Sequence, residues 1–168
     1  KLQFLRMRPG IFPTLRLAQL AMLLNESVHQ FSKIKNELFL KNVRKWLDVT
    51  ANDYWHYRYR FDVDSGFREK HLGSDMIDNI VINTIVPMLF TYGEYHHDEK
   101  LKQKALDWLE ETKAENNTVI RTFGTLSITA RNSFDSQALL ELKTQYCDLR
   151  KCLECSVGNS LLRNQSLV

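Results

Sequence analysis

Much of what marks a functional class is missing from this sequence. There is no internal repeat, no low-complexity tract and no glycine-rich loop of the kind that cradles phosphate. Neither G-x-S-x-G nor H-E-x-x-H occurs, which removes two familiar hydrolase signatures. Neither a signal peptide nor an apolar run able to cross a bilayer is expected from the sequence. Cysteine is scarce, with 3 in 168 residues. An odd number argues against a secreted disulfide scaffold. The expected location is the cytoplasm, with no membrane partner. Charge of one sign is also weak: a net charge of +3 and a pI near 8.8 do not by themselves indicate a nucleic-acid binder.

What is present is an ordinary globular composition, 43% hydrophobic and 26% charged. The length fits one helical domain over residues 1–168. The chain starts at Lys1 with RMRPGIFP, which reads like the middle of something. The expectation is the C-terminal part of a longer chain.

Helical spacing dominates. Pro13 suits a first helical turn, where its missing amide hydrogen costs nothing. TLRLAQLAMLLN follows at Thr14–Asn25, with only Arg16 and Gln19 polar inside it. A helix apolar on nearly every side is expected at the centre of a core. Arg6, Arg8 and Arg16 around it suggest carboxylate partners or, alternatively, a bound anion. Ser32 is placed to cap a helix from Lys33 to Leu47, with Ile34, Leu38, Phe39, Val43, Trp46 and Leu47 inward and Lys35, Lys41, Arg44 and Lys45 outward. The clearest amphipathic pattern runs from Asp75 to Tyr92, capped by Ser74. Pro87 predicts a kink near Asn83, and Gly93 a stop. Asp98 is placed to cap Glu99–Lys113. Val119–Phe123 reads as a helical turn or two and Gly124–Arg131 as connecting chain. Asn132 with Asp135 resembles a capping box at the head of Ser133–Tyr146. Residues from Arg163 onward should fray.

The period changes once. In WHYRYRF, Trp55, Tyr57, Tyr59 and Phe61 alternate with His56, Arg58 and Arg60, which predicts a strand with one aromatic and one cationic face. Phe67–Leu72, after the turn Asp64-Ser65-Gly66, is the expected return strand. Such a strand could meet phosphates and bases, or it could simply pack its rings on helices.

Cys147, Cys152 and Cys155 are the remaining chemical feature. A helix starting at Asp148 would carry Leu149, Leu153, Ser156, Val157 and Ser160 on one stripe, with Cys152 at its edge and Cys155 further round. Residues three apart share a face, so both sulfurs could reach one ion or oxidant, and Cys147 could fold back towards them. Zinc or an iron–sulfur cluster normally takes four ligands. The fourth could be His56, His71, His96 or His97. Three reduced, unlinked thiols is the alternative.

Five stretches, RMRPGIFPTLRLAQLA, Tyr54–Phe61, INTIVPMLFTYG at Ile82–Gly93, SQALLELKTQYC at Ser136–Cys147 and CLECSVG at Cys152–Gly158, occur in this order. Together they resemble the C-terminal region of an uncharacterised protein family of Bacteroidetes, a domain of unknown function. The resemblance covers almost the whole chain. It implies a bacterial protein and a longer N-terminal part with an acidic constellation like that of nuclease folds. It also implies a histidine where this chain has Arg58. It implies no activity that could be carried over.

The expected fold is therefore mainly α, a single multi-helix domain built around Thr14–Asn25 with one short aromatic strand or hairpin. The first functional expectation is a non-catalytic module, without a cofactor, that packs on or recruits partners for an upstream domain of the same protein. The second is a module stabilised by zinc or an iron–sulfur cluster on Cys147, Cys152 and Cys155. The third is an accessory domain that binds nucleic acid through His56, Arg58 and Arg60 with Lys41, Arg44 and Lys45.

Overall fold

A computed structural model describes residues 12–26 and 29–164. Arg6 and Arg8 lie outside the described residues. The fold is mainly α with a small two-stranded antiparallel sheet, as expected. The chain forms two compact units, Lys1–Lys104 and Ala105–Val168.

In the first unit, α1 (Pro13–Glu26), α2 (Gln30–Asn36), α3 (Leu40–Leu47) and α4 (Asp53–His56) precede strands β1 (Arg58–Arg60) and β2 (Val63–Asp64). A long helix follows. It consists of α5 (Ser74–Ile80), a π-helical turn at Val81–Ile85 and α6 (Val86–Tyr95). Helix α7 (Glu99–Glu111) then runs across the unit boundary.

The long helix forms the core, with Ile77, Val81, Ile82, Ile85, Val86 and Leu89 all buried. Against expectation, α1 does not hold the centre. Its Leu17, Leu20 and Leu24 are 55%, 48% and 59% exposed, while Leu15 and Gln19 are buried. Polar needs decide which side of α1 turns inward. Thr14 donates its hydroxyl to the Tyr59 carbonyl at 2.6 Å. Gln19, 1% exposed, donates to the carbonyls of Lys70 and His71 at 3.0 Å each. A buried amide must be bonded, and Gln19 finds its partners only on that side. At about 100° per residue the three leucines then face outward.

The helix expected over Lys33–Leu47 is broken into α2 and α3. The Glu37 carboxylate accepts from the amides of Leu38 and Phe39 at 2.8 and 3.0 Å. On the other side, Lys104 of α7 donates to the carbonyls of Ile34, Lys35 and Glu37 at 3.3, 2.7 and 2.8 Å. Side chains thus satisfy the backbone groups that a helix end leaves open.

Pro87 acts as expected but gently. It lacks the amide hydrogen that would bond the Asn83 carbonyl, and the ladder widens into the π turn immediately before it. Gly93 is not the stop. It lies inside α6, where a Cβ would meet Lys102 Cγ at 2.9 Å and the Asp98 carbonyl at 3.0 Å. The stop is His97, with φ 55°. The amide of His97 donates to the Glu94 carbonyl and that of Asp98 to the Gly93 carbonyl, which is a Schellman closure. Asp98 then caps α7 as expected, accepting from the Leu101 amide at 3.1 Å. Over its 22 residues, Ser74–Tyr95 is long and apolar enough to cross a membrane, contrary to the sequence expectation.

In the second unit, α8 (Thr118–Thr125) and α9 (Ser133–Glu141) pack together, and α9 continues through a π-helical turn at Leu142–Cys147. Asn132 caps α9 as expected, accepting from the Asp135 amide at 3.0 Å. Asp135 reaches one residue further back than a capping box requires, to the Arg131 amide at 3.0 Å. Gly124 sits inside α8, and the chain turns at Ser127, φ 62°. The helix expected from Asp148 does not form. Arg150, φ 54°, closes the preceding helix in a second Schellman arrangement: its amide reaches the Cys147 carbonyl and that of Lys151 the Tyr146 carbonyl. The last helix, α10 (Ser156–Asn164), starts eight residues later than expected and remains helical through Asn164.

Candidate functional site

The aromatic segment folds differently from a long strand. Trp55 and His56 belong to α4, and β1 covers only Arg58–Arg60. The hairpin turns at Phe61 and Asp62, and its return strand is Val63–Asp64 rather than Phe67–Leu72. Asp62 adopts φ 56°, and its amide donates to the Tyr54 hydroxyl at 3.1 Å. His71 instead bridges back to Thr50, and the Leu72 amide donates to the Val49 carbonyl.

This tight hairpin mixes rings and cations instead of sorting them onto two faces. Arg58 lies 4.5 Å from the Tyr54 ring and 2.6 Å from the Asp64 carboxylate. Arg60 lies 4.9 Å from the Phe12 ring. Tyr59 packs against the buried cluster of Leu15, Ala51 and Trp55. On its ring sits the ammonium of Lys70 at 3.9 Å, which also donates to the His56 carbonyl at 3.2 Å. Lys70 is only 3% exposed. Contact with an aromatic face and a carbonyl partly replaces the water that such a charge loses.

Of the other expected cations, Arg44 pairs with buried Asp78 at 3.0 Å and so ties α3 to α5. Lys41 lies 5.2 Å from the Phe39 ring, and Lys45 is exposed. Arg16 donates to Gln19 at 2.8 Å rather than to a carboxylate, and burial lowers its guanidinium from the ordinary value. His56, Arg58 and Arg60 therefore gather around the hairpin, while Arg44 is committed to the core.

A groove of about 590 Å³ opens beside the hairpin, lined by Met22, Thr50, Asn52, Asp53, Tyr54 and His56. The His56 Nε2 atom is buried without a hydrogen-bond partner. At the rim, Thr50 Oγ1 is 2.6 Å from His71 Nδ1, and His71 Nε2 is 2.7 Å from Glu69 Oε2. Hydroxyl, imidazole and carboxylate in series are the residue types of nucleophilic catalysis. Here they are exposed and also tie two extended segments together. Sequence reading missed this series and Lys70. Only Gln19 left a signal, as an amide within an apolar run.

The sulfur geometry also differs from expectation. Cys147 and Cys152 are exposed and Cys155 is buried, the reverse of the order that a helix from Asp148 would give. Among the described residues, no group of three or more His, Cys, Asp or Glu side chains is placed to hold a metal ion. Gly158 lets α10 approach the turn before it, since a Cβ there would meet the Cys152 carbonyl at 2.5 Å.

The described part of the first unit is mainly helical and carries the ring-and-cation hairpin. Residues 1–118 match the family described as "Protein of unknown function (DUF2851)", and the chain belongs to that family. The match ends at the start of α8, so the stretches Ser136–Cys147 and Cys152–Gly158 lie beyond it. No curated protein and no solved structure matches the chain.

Proposed function

We propose that this chain is a helical docking module that packs on, or recruits partners for, an upstream domain of a longer protein, without chemistry of its own. The exposed face of α1 carries the reading. Leu17, Leu20, Ala21 and Leu24 share that face, and no charged side chain lies among them. Three large apolar side chains aligned in water favour a covering surface, at about 25 cal/mol per Å² of apolar area removed. The test uses a longer protein that contains this chain. Leu17→Asp, Leu20→Asp and Leu24→Asp together should make the module melt separately from the remainder while its own circular dichroism is kept. A single cooperative melt, unchanged from the parent, would defeat the docking role.

A further inference from the structure

A second groove, of about 510 Å³, lies between α2 and α6. Its walls are Phe31 from α2 and Pro87, Met88, Thr91, Tyr92 and Tyr95 from α6. The lining is almost wholly apolar, yet a charge stands at its edge. Lys35 is one helical turn beyond Phe31. Its ammonium donates to the Tyr92 hydroxyl at 3.4 Å and lies 4.9 Å from the Tyr92 ring. An ammonium has three donors, and the phenol takes only one. No carboxylate pairs with Lys35 among the described residues. The one acid of α6, Glu94, is bonded to Lys102 at 2.8 Å. The His96 ring lies against Tyr92, 4.2 Å between ring centroids.

The pattern is that of a small-ligand site: apolar walls with one placed polar group that fixes orientation. We infer that this groove binds a carboxylate carried on an apolar tail. The tail lies along Phe31, Met88 and Tyr95, and the carboxylate accepts from Lys35 Nζ. This goes beyond the docking role and does not depend on it, because α1 contributes no wall to the groove.

Decanoate and decanol, titrated below their aggregation limits and followed by calorimetry and amide chemical shifts, provide the test. They share a tail and differ in charge. Decanoate should bind saturably and about tenfold more tightly than decanol, the difference a single charge-assisted hydrogen bond supplies. Lys35→Met should reduce decanoate to the affinity of decanol. Met88→Glu, at a half-exposed position, should weaken both ligands. Unchanged melting temperatures of the two variants would confirm that they fold. Equal affinity for decanoate and decanol in the parent protein would overturn the inference, as would non-saturable binding or decanoate affinity indifferent to Lys35→Met.

Discussion

Helix α1 and the long helix Ser74–Tyr95 are both rich in apolar side chains, and they use them in opposite ways. The long helix turns Ile77, Val81, Ile85 and Leu89 inward and leaves Asn79, Asn83 and Met88 outside. Its apolar side is the core, and its one buried acid, Asp78, meets Arg44. Helix α1 has no polar side to give to water. It is anchored through Thr14 and Gln19, whose hydrogen bonds to neighbouring backbone fix its rotation, and its spare leucines are left outside. The two helices show that total apolarity does not decide what is buried. A regular stripe does, and where a helix has no stripe a single buried amide can choose the side.

The sharpest way to break this contrast is to truncate one leucine on each helix. Leu89→Ala removes a fully buried side chain from α6. It should cost about 2–5 kcal/mol in urea unfolding. Leu20→Ala on α1 should change stability by less than about 0.5 kcal/mol. Equal losses would mean that α1 is packed as deeply as the long helix.

A smaller effect tests how the long helix ends. His97 holds a left-handed conformation that costs a side-chain-bearing residue roughly 1 kcal/mol. His97→Gly should raise the stability by about that amount, read from the same urea curves. Gly93→Ala should lower it, because the added Cβ would press on Lys102 and the Asp98 carbonyl.

The smallest expected effect is the response to acid. The hydrogen bond from Lys102 holds the Glu94 carboxyl below the usual carboxylate range. The unfolded chain then takes up a proton before the folded one does. The contribution of this pair is present above the ordinary glutamate value near 4.3 and is lost as the pH falls through the lower folded value. The melting temperature should decline over that interval, and Glu94→Gln should make the decline shallower. Helix α1 is anchored by neutral groups, so Gln19→Met should lower stability without changing the slope.

The helical class and two caps, Asn132 and Asp98, were readable because each depends on neighbours within one turn. The helix ends were misplaced for a physical reason. Gly93 and Gly124 suggest stops, but Gly93 serves close packing, and the left-handed positions fall to His97, Ser127 and Arg150. Nothing local marks those three residues as turn formers. The break at Leu38 and Phe39 was only half local: Glu37 caps it from beside, but Lys104, which holds the other side, lies far along the chain. At the hairpin, alternation suggested seven extended residues. A two-residue turn at Phe61 and Asp62 folded them tightly and set the arginines on the rings. The side of α1 that turns inward was set by the carbonyls of Lys70 and His71, which no spacing within α1 could reveal.

Methyl NMR with a soluble paramagnetic probe measures the outward turn of α1 most directly. The account predicts strong relaxation enhancement for the methyls of Leu17, Leu20 and Leu24, and protection for those of Leu15 and Leu89. Protection of all five leucines alike would contradict it.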